Sequence, residues 1–250
     1  EEGVVYKIIN RICEPLLRSV VNLKIAPSDL AAIFTFGEHA YNNNEVKILH
    51  NAVDLEYFKF NEKKRDDTRK LLGLKKNNTV YGHIGRFSNQ KNHKYLIDIF
   101  KKIKDRDENA KFILVGTGEL ESEIKNKVSN YNMTEDVLFL GVRNDIPNLL
   151  SVFDLFVFPS FYEGMPNTVV EAQATGLPCI ISDTITRQAN ITGLVDFLPI
   201  NVEPEVWAEK CVKHKKERVD TTKILQNSGY NIDIIVQDFL KMTVGDKGEN

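Results

Sequence analysis

The chain has 250 residues, with 33 Lys and Arg against 35 Asp and Glu, a net charge of −2 and 42% hydrophobic residues. That is the composition of a soluble globular protein of one large or two small domains. The balanced charge gives no electrostatic reason to expect a nucleic-acid partner, no apolar run is long enough to span a bilayer, and no signal peptide opens the chain.

The first 58 residues differ in pattern from the rest. Val4–Val21 has helical periodicity, with Pro15 kinking it or starting a second piece. Leu23–Ala26 and Val46–Leu49 read as two strands, with a short helix from Ser28 between them. Two strands and two helices are too little for a doubly wound domain on their own. Asn51–Asp54 leads into the charged stretch Asn61–Lys70, which reads as linker and helix.

From residue 79 the pattern becomes regular. Buried-type strands are predicted at Thr79–Ile84, Lys111–Val115, Val137–Leu140, Leu155–Phe158 and Cys179–Ser182, with a shorter one at Phe197–Ile200. Helical patterns fill the gaps: Leu96, Ile99, Phe100 and Ile103 share one face, and further helices are expected at Leu120–Tyr131, near Ile146–Ser151 and at Thr168–Thr175. This alternation predicts an α/β fold, a doubly wound Rossmann-like parallel sheet whose ligands bind at the carboxyl ends of the strands. Asn231–Met242 reads as an amphipathic helix. The expected divisions are therefore 1–58, 59–228 and 229–250.

The segment richest in chemistry is Phe161-Tyr162-Glu163-Gly164-Met165-Pro166-Asn167-Thr168-Val169-Val170-Glu171. It follows a buried strand and runs through a tight loop into a helix. Pro166 suits a helix start, and Asn167 or Thr168 is a plausible N-cap. The free N–H groups of such a start favour an anion. Glu163 stands before the helix and Glu171 about one turn in; both are acceptors suited to hydroxyl groups.

Gly85-Arg86-Phe87-Ser88-Asn89-Gln90-Lys91 follows the first strand of the regular region. Gly85 permits close backbone approach to a ligand, and Arg86 and Lys91 can converge on one anion.

The two-Glu segment and this Gly-Arg…Lys element resemble the retaining glycosyltransferases of family 4, which have the GT-B fold. The resemblance covers residues 20–242, most densely 80–172. It implies a C-terminal donor-binding domain with a partial N-terminal domain, the preceding Rossmann half of about 100 or more residues being missing. Glu1 in place of a starting Met agrees with a cut there.

The resemblance also implies roles. Glu163 contacts the donor sugar at the reacting centre and is the catalytic residue, while Glu171 binds the ribose. The backbone of Gly164, Met165, Pro166, Asn167 and Thr168 holds the sugar and diphosphate. Gly85, Arg86 and Lys91 serve the diphosphate, and Val142 and Arg143 frame the base. The donor is a UDP-sugar, and the acceptor is a polysaccharide or a lipid-linked oligosaccharide. Transfer is retaining, with the acceptor attacking on the face the diphosphate leaves. No metal and no other cofactor is expected. In the family the wall opposite the donor aligns the acceptor, so this chain by itself is expected to bind donor without transferring it.

Several signals have plainer readings. Val115-Gly116-Thr117-Gly118 lacks the third glycine of a dinucleotide fingerprint, position 121 being Glu, and reads as a tight turn or a donor-lining loop. Arg143 equally reads as a surface residue paired with Asp145. Asp105-Arg106-Asp107 reads as a solvated turn rather than a metal motif. His83 reads as a satisfied interior group. Cys13, Cys179 and Cys211 show no pairing or metal spacing, and Cys179 reads as a buried small hydrophobe; a reducing, cytoplasmic setting fits. The basic run Lys210, Lys213, Lys215, Lys216 and Arg218 reads as a solvated helix face, with peripheral contact to anionic lipid at the inner face of the plasma membrane as the alternative.

The loop after Asp183, Thr184-Ile185-Thr186-Arg187-Gln188, departs from the common family pattern. The stretch from Gly176 to Trp207 looks most like enzymes of bacterial exopolysaccharide and capsule assembly. Two rival functions share the fold: a UDP-sugar 2-epimerase and a non-catalytic nucleotide-sugar-binding fragment.

Overall fold

The computed structural model describes residues 20–214 and 217–244, in two units: 53–231, and 20–52 with the C-terminal helix Ile232–Val244. The helix expected over Val4–Val21 and Cys13 lie outside the described residues, apart from the last two positions of that stretch.

In the smaller unit, β1 (Lys24–Ala26) pairs in parallel with β2 (Val46–Ile48), Lys24 opposite Val46. The helix Asp29–Phe36 lies between them in sequence, and the Ser28 hydroxyl accepts from the Ala31 N–H at its start. Ala26, Ala32, Ala40 and Val46 form a small core.

The larger unit is a six-stranded, all-parallel sheet in the order β5-β4-β3-β6-β7-β8. Its strands are β3 (Thr79–Ile84), β4 (Ala110–Val115), β5 (Val137–Phe139), β6 (Leu155–Phe158), β7 (Cys179–Ser182) and β8 (Val195–Leu198). This is the doubly wound α/β architecture expected from the sequence. Winding runs outward in both directions from the β3–β6 pair, which makes that seam the switch point where such sheets take their ligands.

Both faces are covered, which explains the nearly continuous apolar strands. Tyr81, Phe112, Leu114, Leu155 and Val157 pack with Leu96, Phe100 and Trp207 on one side. Val80, Ile113, Phe156, Phe158 and Ile181 pack with Leu149, Phe153 and Val169 on the other. Trp207 is buried and donates to the Pro199 carbonyl at 2.8 Å. Cys179 and Cys211 are both buried. Among the described residues no helix is long and apolar enough to cross a membrane.

Three expectations are corrected. β8 spans Val195–Leu198 rather than Phe197–Ile200: its register is set by β7, with Cys179 opposite Val195, and Pro199, which has no N–H to give a ladder, follows it directly. The helix after β6 runs Asn167–Ala174, with Pro166 in the cap position and no side-chain cap, so neither Asn167 nor Thr168 is the N-cap. Arg218 is not part of a solvated basic face. It turns inward beneath the amino ends of the strands and donates to the carbonyls of Leu150, Phe153 and Thr175, at 2.5, 2.6 and 2.7 Å. Arg65 joins it on the Ser151 and Val152 carbonyls, both at 2.8 Å. Together they close the carboxyl end of the helix Ile146–Val152. Burial pulls the Arg218 pKa down to about 9, still cationic at neutral pH.

Removing a buried group that satisfies several carbonyls strands them, at about 3–5 kcal/mol. Arg218→Ala is therefore expected to lower unfolding stability by that amount in chemical denaturation; a loss under 1 kcal/mol would show the carbonyls are satisfied without it.

Candidate functional site

The loops after β3 and β6 meet at the switch point. Their backbones are stitched together: the Phe161 N–H donates to the Gln90 carbonyl at 2.9 Å, Gln90 Nε2 donates to the Tyr162 carbonyl at 2.9 Å, and Asn92 Nδ2 donates to the Pro159 carbonyl at 3.1 Å. Asn92 takes the left-handed conformation, φ 55°, at the start of the helix His93–Lys104. Asn tolerates that region better than most residues. None of these three anchors was singled out from the sequence; only an Asn or Gln in a tight strand-to-helix loop hints at them.

Between the stitches Lys91 Nζ donates to Glu163 Oε1 at 2.7 Å, the side chains being 17% and 11% exposed. The same ammonium lies 4.7 Å from the centroid of the Phe158 ring. Arg86 is placed differently. It pairs with Glu119 at 3.1 Å in the open, its side chain 73% exposed. The structure thus brings Lys91 to Glu163 and turns Arg86 toward Glu119. An exposed pair of this kind contributes little and exchanges easily for another anion.

Behind them lies the loop after β4. Gly116 has φ +127°, and a Cβ there would stand 2.2 Å from the Gly85 carbonyl oxygen; one on Gly118 would stand 2.5 Å from that of Phe87. The Gly85 N–H donates to the Val115 carbonyl and the Gly116 N–H to that of Gly141. Gly116-Thr117-Gly118 is therefore a close-packing turn that supports the Gly85–Phe87 loop. A small cavity of about 180 Å³ opens beside it, lined by Ile84, Gly85, Val115, Gly116, Val142, Arg143 and Ile146. Val142 is 74% exposed at its rim. Arg143 forks onto Asp145 at 2.8 and 2.7 Å. A larger cavity, about 740 Å³, opens at the other end of the sheet beside Arg65, Asp154 and Arg218. The donors of Arg65 and Arg218 are already committed to carbonyls and Asp154, so the smaller cavity at the strand carboxyl ends suits a ligand better.

Downstream of Glu163, Gly164 has open space where a Cβ would stand, Met165 packs against the core, and Pro166 is buried. Asn167 is exposed and Thr168 half-buried at the first turn. Glu171 is half-buried, one turn in, and burial alone raises its carboxyl pKa. Gln173, buried in the same helix, is saturated: it donates to the Val169 and Ala189 carbonyls and accepts from Ile191, Thr192 N–H and the Thr192 hydroxyl. It fastens this helix to the segment between β7 and β8. Among the described residues no group of three or more His, Cys, Asp and Glu side chains converges as a metal site.

Two buried imidazoles floor the site. His83 Nδ1 donates to the Val157 carbonyl at 2.9 Å, which leaves Nε2 as the acceptor nitrogen, without a partner. It is thus half-satisfied rather than fully so. His93 stacks on Phe87 at 4.2 Å, and the two imidazoles meet edge to face at 4.8 Å. Burial holds both pKa values down, His83 well below the usual range and His93 at about 4, the Lys91 charge adding to the effect.

The comparisons with known proteins agree with this geometry. Residues 64–209, more than half of the chain, match the family Glycosyl transferases group 1. The chain belongs to the group 1 glycosyl transferases. It is 40% identical over 184 residues to the Bacillus subtilis (strain 168) protein EpsF, whose name carries a provisional assignment as a glycosyltransferase, covering 73% of this chain and 48% of that protein. It is 43% identical over 142 residues to an Escherichia coli UDP-Gal:alpha-D-GlcNAc-diphosphoundecaprenol alpha-1,3-galactosyltransferase, covering 56% of this chain and 37% of that enzyme. The chain thus spans about half or less of the length of these relatives. Anabaena Alr3699/HepE, solved in complex with UDP-glucose, superposes with a TM-score of 0.77 at 23% identity over 94% of this group 1 chain and 66% of that one. That likeness shows the fold, the GT-B type.

The histidines give a pH prediction. An unfolded His93 takes up a proton near pH 6.5 and the folded one near 4, so the native state binds fewer protons between those values and stability falls as pH drops through them. From pH 7.5 to 5 His93 should contribute a loss of about 2 kcal/mol. Denaturation of the His93→Phe variant at both pH values should show a drop smaller by that amount; an identical drop would mean that His93 is not the group responsible.

Proposed function

We propose that residues 53–231 form the donor-binding unit of a retaining, family-4 glycosyltransferase that moves a sugar from a UDP-sugar to a polysaccharide or lipid-linked acceptor. The observation that carries this reading is the 2.7 Å approach of Lys91 and Glu163 across the β3–β6 seam. It sets a cation suited to a diphosphate beside a carboxylate suited to sugar hydroxyls, at the place where doubly wound sheets bind nucleotides.

Lys91 and Arg86 take the diphosphate, assisted by the partial positive charge at the start of the helix Asn167–Ala174. Glu171, with no side-chain partner among the described residues, takes the ribose hydroxyls. The backbone of Gly85 and of Gly164–Thr168 lines the path of the diphosphate and sugar. The cavity beside Val142 and Arg143 receives the base. Glu163 holds the sugar near the reacting carbon. As the bond to the diphosphate breaks, negative charge grows on the leaving oxygens, and fixed cations there lower the barrier because they need no reorganisation. No metal is needed in this reading. The acceptor approaches on the face that the diphosphate leaves, giving retention. Support for UDP and for a lipid-linked acceptor comes from the name of the Escherichia coli relative. Such an acceptor would bring the protein to the inner face of the plasma membrane.

Titration calorimetry with UDP tests the assignment. Lys91→Ala and Arg86→Ala should each weaken UDP by roughly 10- to 150-fold, the worth of a charge-assisted hydrogen bond. Unchanged affinity in both variants would remove the diphosphate from this loop.

Glu171→Ala should weaken UDP and UDP-glucose by the same factor, because its partner is common to both. A loss seen with UDP-glucose alone would move Glu171 from the ribose to the sugar.

A further inference from the structure

We propose that the Lys91–Glu163 ion pair is a latch that an intact sugar donor exchanges without loss and that the nucleoside diphosphate product opens only at a cost, so that Glu163 sets the preference for donor over product. The proposal rests on the reading of the site given above and adds a selectivity to it.

The pair is built rather than incidental. Both side chains are largely withdrawn from solvent, and the two loops that carry them are bonded to each other through Gln90 and Asn92. The Phe158 ring lies under the ammonium, and the Lys91 Cδ and Cε lie 3.3 Å from where a Cβ on Gly85 would stand. Lys91 therefore has a narrow choice of positions. The imidazoles beneath it are neutral, and among the described residues Lys91 is the one cation paired with Glu163.

A diphosphate that draws Lys91 away leaves Glu163 as a shielded carboxylate with no donor, now close to the ligand's own negative charge. Both consequences disfavour binding. A donor that still carries its sugar brings hydroxyl groups, which donate to the Glu163 oxygens in place of the ammonium. The intact donor thus replaces one hydrogen-bond donor by another. UDP alone has nothing to offer Glu163. After transfer the sugar departs, Glu163 is again unpartnered, and re-pairing with Lys91 competes with the diphosphate and speeds its release.

Binding to a protein whose competent form is a minor fraction is weakened by that fraction, so abolishing the latch should tighten UDP. Calorimetry of the chain with UDP, UDP-glucose, UDP-galactose and UDP-N-acetylglucosamine tests this. In the wild type at least one UDP-sugar should bind tighter than UDP. Glu163→Gln, which keeps size and hydrogen bonding but removes the charge, should tighten UDP by about 3- to 10-fold and narrow the gap between UDP and that sugar. Glu163→Ala should also tighten UDP while losing affinity for the sugar donor, which separates the latch from a folding defect. Weakened or unchanged UDP binding in both variants overturns the latch. If Lys91→Met still weakens UDP by about 10-fold or more in that case, the diphosphate assignment stands and only the latch fails. A wild-type chain that binds no UDP overturns both.

Discussion

The site depends on the pairing of β3 with β6. These strands are adjacent in the sheet but more than 70 residues apart in sequence, and Tyr81 stands opposite Leu155. Several contacts fasten the seam. The Asp154 carboxylate accepts from the Val80 N–H at 2.7 Å, the Asp154 N–H donates to the Val80 carbonyl, and Arg65 and Arg69 neutralise the same carboxylate. Further along, His83 bonds the Val157 carbonyl. Gly82 lies where any Cβ would enter the Phe153 ring, at 2.0 Å, so the helix Ile146–Val152 and its following residue can press against the strand. Because the seam is rigid, the loops at its carboxyl end start from fixed points. Lys91 and Glu163 then meet with only a few loop bonds to guide them.

The two cations of the site are held on different terms, and exposure is the reason. Arg86 and Glu119 sit in water, where a close pair is screened and its side chains keep much of their freedom. Breaking that pair for a ligand costs little. Lys91 and Glu163 are shielded, so each needs a partner at all times. In the proposed reading an anion recruits Arg86 freely but takes Lys91 at a cost unless something else satisfies Glu163. The neutral histidines below keep this balance local, since neither adds charge to it at physiological pH.

The opposite end of the sheet is built on the same chemistry turned to structure. Arg65, Arg69 and Arg218 all face backbone carbonyls, and Arg65 and Arg69 also pair with Asp154. Their charges are spent on closing a helix and fixing a strand, and Arg65 and Arg218 border the larger cavity with donors already committed to backbone carbonyls. Position relative to the strand direction, rather than the number of arginines, separates the candidate site from the structural end.

Much of this was legible in the sequence because it depends on local pattern. Continuous apolar runs of four to six residues between helical repeats specify strands buried on both faces, and Thr79–Ile84, Leu155–Phe158 and Cys179–Ser182 lie where that pattern puts them. The Gly-Arg…Lys loop and the two-Glu segment were visible as strings after strands. What the string could not supply was partnership. Whether Arg86 or Lys91 meets Glu163, whether Arg218 faces water or a helix end, and where β8 begins are decided by residues tens of positions away. So is the reason for Gly116 and Gly118, which is the backbone of Gly85–Phe87 pressed against them. Sequence by itself determined which segments are strands and helices and which loops carry charge, because hydrophobic periodicity and turn chemistry act over a few residues. Tertiary structure alone decided which charges pair and which stay in solvent, because burial and distance exist only once the sheet has closed.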